Sequence, residues 1–259
     1  MVQATRDHRV GENSSWPEKI LDRYTGDKGT RALNRSCTLP MTGLVRMKKN
    51  RRLSKEVLGA CRRLRSHLLF LFALYVISFV AGYVAVSASV PFAVELRSRL
   101  LKAVAGEAPF TTVTDVLRSG NLLLAVALTL LVNLSSGAFF STTFIGVVPL
   151  LGAAGISLVT FYRGLSLGVV YYAVLSQSPA AFILGAGTLI LELGGYVFSG
   201  AAGINLSLST VFPKRYGVEG RWAAFRKAWG EAARVYLVVV GLLLAGAIWE
   251  MVGLFLLLR

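Results

Sequence analysis

Two cysteines and two histidines in 259 residues leave little from which to build metal or disulfide chemistry. Cys37 and Cys61 form no CxxC pair, and neither His8 nor His67 has a partner at metal-ligand spacing. No HExxH, Walker loop or G-x-S-x-G occurs either. No catalytic residue, metal or cofactor is therefore nominated, and an enzyme is not expected. Acidic side chains are also scarce, with 13 Asp and Glu against 28 Lys and Arg, a net charge of +15. Scarcest of all is charge in the middle of the chain. Between residues 121 and 210 the only Asp, Glu, Lys or Arg are Arg163 and Glu192. A soluble domain keeps its apolar segments short and periodic, whereas several runs here exceed the roughly 18–20 residues that cross a bilayer.

What is present is 54% hydrophobic, with mean hydropathy +0.61, and is divided unevenly. Residues 1–66 hold 16 Lys and Arg against six Asp and Glu, and nearly everything from Leu68 on is apolar. Beside membrane spans, such cations set orientation and meet anionic headgroups; nucleic acid is not the expected partner. The fold class is all-α, a polytopic membrane bundle of about five transmembrane helices with a cytoplasmic N-terminus, placed in the cell membrane.

Residues 1–46 mix Asn, Ser, Gly, Pro and both charges without an apolar period. They read as a disordered tail or as an extension foreign to a protein that starts at Met47. Residues 47–66 carry Leu53, Val57, Cys61 and Leu64 on one helical face and cations on much of the rest. That is the pattern of a basic interfacial helix, or of a solvated arm that only sets topology. The membrane domain occupies 67–259, with spans expected at about 67–88, 121–147, 150–176, 179–209 and 235–258. Pro91, Pro149 and Pro179 mark the breaks. A polar loop over 92–118 includes an amphipathic piece around Leu96, Leu100, Leu101 and Val104. The segment 213–234 has six cations against Glu219 and Glu231, with Trp222, Phe225 and Trp229 on one side. It reads as a second surface helix on the N-terminal side of the membrane, which requires an even number of spans between the two basic segments.

The charges inside the spans follow from this topology. Arg163 lies 13 residues before Ser176 and Glu192 lies 13 residues after Pro179. At 1.5 Å per residue both sit roughly 20 Å from the same turn, on adjacent antiparallel helices. A direct Arg163–Glu192 ion pair is expected, with Glu250 somewhat nearer the outer face, joining the pair or staying protonated. Arg163, Glu192 and Glu250 form the candidate intramembrane polar site, structural or transporting. Thr188, Glu192, Gly195, Ser199 and Gly203 share a stripe at helical spacing, and with Gly200 its small residues nominate α-helical packing at close range. Asn121 is read as a helix-entry residue and Asn133 as an interhelical hydrogen bond. A kink around Tyr162-Arg163-Gly164 is the alternative to simple close packing there.

Glu192-Leu193 followed by Gly200-Ala-Ala-Gly203 on a late span resembles the stage II sporulation protein M family of integral membrane proteins. The resemblance covers about residues 67–259. It includes Gly120-Asn121 at a span entry, Arg163-Gly164-Leu-Ser-Leu-Gly168 where the family has Asn-Gly-x-x-x-Gly, and Glu250 in Ala247-Ile-Trp-Glu. In the family's His-Gly-x-x-Glu element, Thr188 and Leu189 replace His and Gly while Glu192 is kept. The departures mark a divergent member in which a salt bridge is expected in place of a hydrogen-bonded cluster. The resemblance implies a multi-span protein without an enzymatic domain. In spore formers the family is associated with membrane-anchored cell-wall remodelling machinery, but relatives occur in organisms that form no spores. The expected function is a non-enzymatic scaffold or assembly subunit in envelope or membrane organisation, meeting other membrane proteins or copies of itself. The alternative is a transport protein or permease subunit using the Arg/Glu site.

Overall fold

The computed structural model describes residues 54–106 and 108–257, apart from the side chains of 175–177. The expectations for residues 1–46, for the first residues of the basic helix and for the chain end at Arg259 lie outside those residues. Helices account for nearly all the described chain, and no strand occurs in it. Helix α1 covers 54–63; a one-residue turn at Leu64 leads into α2, Arg65–Ser87. Helices α3 (Pro91–Gly106) and α4 (Phe110–Arg118) follow. Helix α5 (Leu122–Val132) runs into a π-helical stretch, Asn133–Phe144, and a 3₁₀ turn, Ile145–Val147. Then come α6 (Leu151–Gln177), α7 (Pro179–Ser209), a 3₁₀ turn (Pro213–Tyr216) and α8 (Arg221–Leu257).

Five helical segments are long and apolar enough to cross a membrane: Arg65–Ser87, Leu122–Val147, Leu151–Val174, Pro179–Ser209 and Arg221–Leu257. Their ends fall where the local chemistry changes. Asn121 accepts a hydrogen bond from the Leu124 amide (3.2 Å) and caps α5, after Gly120 turns the chain at φ 84°. Ser178 accepts from the Ala181 amide (3.2 Å) and Pro179 opens α7, where its missing N–H costs nothing. The start of α6 is capped from a distance: Ser207 of α7 accepts from the Ala153 amide (3.0 Å) and donates to the Val148 carbonyl (2.9 Å). The second surface helix expected over 213–234 is corrected. Only Pro213–Tyr216 stands apart, and from Arg221 the basic segment is continuous with the last span in one helix of 37 residues. No Pro or capping residue interrupts it. The polar loop expected over 92–118 is instead largely helical, as α3 and α4, and α6 runs unbroken through Arg163.

Helix α7 is the axis of the bundle and packs against α8, α6, α2 and the π-helical stretch. From Gly195 to Leu206 it is buried on nearly every side. Helix α2 lies in close contact with α6. Its outer face shows Leu69, Phe70, Phe72, Ile77 and Val80, as a lipid-facing surface requires. The apolar face of α1 turns inward: Ala60 and Leu64 are buried in the same cluster as Ala228 and Ala232 of α8. Arg63 of α1 also pairs with Glu231 of α8 at 2.7 Å. The start of α2 and the stretch from Asn205 to Arg234 thus meet at one basic end of the bundle. This is the arrangement that four intervening spans demand.

Candidate functional site

The site begins with an irregularity in the second span. In an α-helix each amide donates to the carbonyl four residues earlier. Here hydroxyls take several of those carbonyls: Ser135 donates to Leu131 (2.6 Å), Ser141 to Gly137 (2.6 Å) and Thr142 to Ala138. The Gly137 carbonyl also accepts from Arg163 Nη1 of α6 at 2.9 Å. Side-chain donors at the i−4 position and a polar group inserted into the ladder are known causes of its distortion. Over Asn133–Phe144 the helix adopts the wider π form.

That widening brings polar side chains of three spans together. The second Arg163 nitrogen, Nη2, donates to Ser141 Oγ at 2.9 Å. The guanidinium lies over the Tyr196 ring, 4.3 Å from its centroid, a contact that gains strength away from water. Gly137 makes room for this ring, since a Cβ there would lie 2.7 Å from Tyr196 Cε1. The Tyr196 hydroxyl donates to Asn133 Oδ1 (3.0 Å), and Asn133 Nδ2 donates to Glu192 Oε1 (2.5 Å). The order is Arg163, Tyr196, Asn133, Glu192, with Ser141 beside the arginine. The Tyr75 hydroxyl is buried and makes no hydrogen bond of good geometry among the described residues.

The expected direct Arg163–Glu192 pair is therefore corrected. No salt bridge links them; Tyr196 and Asn133 stand between. Arginine's planar, weakly hydrated head is satisfied by a backbone carbonyl, a hydroxyl and an aromatic face, and Glu192 is satisfied by an amide. A hydrogen-bonded chain built around Asn133 stands where a salt bridge was expected. Sequence reasoning placed Asn133 in an interhelical hydrogen bond but missed Tyr196 and Ser141. Tyr196 stands four residues after Glu192, one turn along the same face, and that spacing is the signal that could have found it.

Among the described residues, no hydrogen bond or ion pair joins Glu250 to this chain. With Glu192, Asn133 and Thr129 it lines a cavity of about 260 Å³, closed on another side by Val104 and Phe110 of the α3–α4 segment. That segment lies between the first two spans, so this cavity sits toward the end of the bundle opposite the basic one. Thr129 is 8% exposed, and its hydroxyl has no partner among the described residues.

The nominated packing residues are all in the core, but they face different neighbours. A Cβ on Gly195 would lie 2.6 Å from Leu243 of α8, and one on Gly200 would lie 2.9 Å from Leu71 of α2. One on Gly203 would lie 2.7 Å from Ile156 of α6 and 2.8 Å from the Thr142 carbonyl. Ser199 is fully buried and accepts from Thr142 at 3.0 Å. The small residues of α7 serve four neighbours rather than one stripe.

Five apolar spans closed around an internal polar chain define a multi-pass α-helical membrane protein. Residues 70–252 match the family described as Stage II sporulation protein M, and the chain belongs to that family. No curated protein and no solved structure matches it.

Proposed function

We propose that the protein is a non-enzymatic scaffold or assembly subunit of the cell membrane, organising other membrane proteins or copies of itself. The observation that carries this reading is the closed Arg163–Tyr196–Asn133–Glu192 chain. Its charged and polar groups satisfy one another across the spans, as groups that fix helix register do. Outside the spans, the described chain offers short helices on which a partner could dock. The test is purification of the full chain from native membranes in mild detergent, with mass spectrometry of what it retains. Stoichiometric membrane or envelope proteins are the expected result. Recovery of the chain alone as a monomer would overturn the reading.

A second reading, a transport protein or permease subunit, is favoured by one feature: Glu192 and Glu250 both face the 260 Å³ cavity. Carboxylates at membrane depth that border a cavity are typical of ion and substrate paths. Retention of a soluble ATPase in the same purification would select it.

A further inference from the structure

The basic end of the bundle holds an open pocket of about 590 Å³ that the polar chain in the spans does not reach. Side chains from five elements converge on it: Arg63 of α1, His67 of α2, Asn205 of α7, Arg215 and Tyr216 of the 3₁₀ turn, and Arg226, Lys227 and Arg234 of α8. Among the described residues Glu231 is the only carboxylate in the lining, against five Lys and Arg. It is 4% exposed and already engaged, by Arg63 at 2.7 Å and by Asn205 Nδ2 at 3.3 Å. Its charge is therefore largely cancelled within the protein.

The remaining groups divide into a fixed floor and open walls. Tyr216 donates to the Asn205 side chain, and Lys227 donates to the Tyr216 carbonyl at 2.8 Å. Burial, with Glu231 nearby, pushes the Tyr216 phenol up to about 12, against a smaller opposite effect of Arg215, so it stays a neutral donor. Arg234 has Glu56 at 3.5 Å. Arg215 and Arg226 are exposed and pair with no carboxylate among the described residues. The depth is set by aromatic side chains. Trp222, Phe225 and Trp229 stack along the same stretch of α8, with centroids 5.5 and 6.1 Å apart, and Trp222 is 68% exposed. Exposed tryptophan next to a span belongs at headgroup level. A cationic pocket between helix ends at that level has the chemistry of phosphate recognition, because the guanidinium fork matches two phosphate oxygens.

We propose that this pocket is a specific binding site for a phosphate-bearing anion, held by Arg215 and Arg226 over the Asn205–Glu231–Tyr216 floor. The phosphate can come from an anionic phospholipid headgroup or from a soluble phosphate compound. The test uses the full-length protein in mild detergent, exposed to phosphatidylglycerol and phosphatidylcholine in equal amounts, with native mass spectrometry of the retained lipid. Wild type is expected to keep phosphatidylglycerol preferentially. The Arg215→Gln/Arg226→Gln double variant is expected to lose at least about tenfold of that retention, since charge-assisted contacts of this kind dominate such sites. Both positions are exposed, so the variant should melt with the wild type; Arg226→Lys, which keeps the charge, should recover part of the binding. Arg99→Gln/Lys102→Gln, on α3, should change nothing. If inorganic pyrophosphate raises the melting temperature of wild type but not of the double variant, while neither lipid is preferred, the source is soluble and the phosphate assignment stands. Equal retention of phosphatidylglycerol by wild type and the double variant, together with no pyrophosphate shift that the double variant loses, would overturn it. So would a pocket that ignores lipid and pyrophosphate and takes only an acidic peptide.

Discussion

Asn133 uses one side-chain amide on two groups of α7, accepting from the Tyr196 hydroxyl and donating to the Glu192 carboxyl. Asn133→Leu removes both contacts at once and leaves two polar groups facing hydrocarbon or cavity. Loss of a hydrogen bond to a charged or buried group costs about 1–3 kcal/mol. Thermal unfolding in detergent should show a clear fall in melting temperature for Asn133→Leu. Glu192→Gln keeps an acceptor oxygen for Asn133 and should cost distinctly less. Equal falls for the two variants would show that the charge of Glu192, rather than its place in the chain, supports the fold. Glu192 and Arg163 were visible in the sequence because they are isolated charges in an apolar tract. Ser141 was harder to see, because a register counted at 3.6 residues per turn is wrong for a span whose centre is π-helical.

Among the helices, α7 shows most directly how sequence becomes packing. Gly203 lies where a Cβ would press on both a flexible Ile156 methyl and the Thr142 backbone carbonyl, and the carbonyl cannot move aside cheaply. Gly203→Ala should destabilise the bundle by about 1–3 kcal/mol, the usual cost of overpacking. Gly241 on α8 has open space around its Cα. Gly241→Ala should be neutral, or stabilising by up to about 1 kcal/mol, because alanine favours the helix. Unfolding of the two variants side by side separates a packing glycine from a tolerated one; similar effects would remove the close-approach argument. The breaks at Pro149 and Pro179 were legible because a missing N–H ends a ladder. The continuity of α8 was not, because a basic stretch and an apolar one read as two segments even when nothing in the backbone separates them.

Across the whole molecule, α1 is joined to the bundle rather than lying free of it. Its apolar face is buried beside α8, and Arg63 reaches the buried Glu231. Cys61 on that helix is half-buried, and burial raises its thiol above the ordinary value, which leaves less reactive thiolate. Arg63→Gln removes the ion pair and leaves Glu231 with Asn205 alone. In a Cys37→Ser background, the maleimide rate at Cys61 near pH 8 should rise several-fold in Arg63→Gln, as the thiol regains water and its pKa falls back. An unchanged rate would mean that the ion pair does not hold α1 in place.

By itself the sequence determined the class of protein, the number of spans and, apart from the start of the last one, their ends to within a few residues. Hydrophobic length, proline and the placement of cations act locally, and the bilayer leaves a chain few alternatives. It also picked out Arg163, Glu192 and Glu250 as exceptional, since each is a charge where charge is costly. Only the tertiary structure decided which side chains those charges meet. Contacts between spans depend on helix rotation, on the π-helical shift after Val132 and on where Gly137 lets the Tyr196 ring enter. It also gathered cations from distant parts of the chain into one pocket, because side chains from α1, α2, α7, the 3₁₀ turn and α8 become neighbours only when the bundle closes.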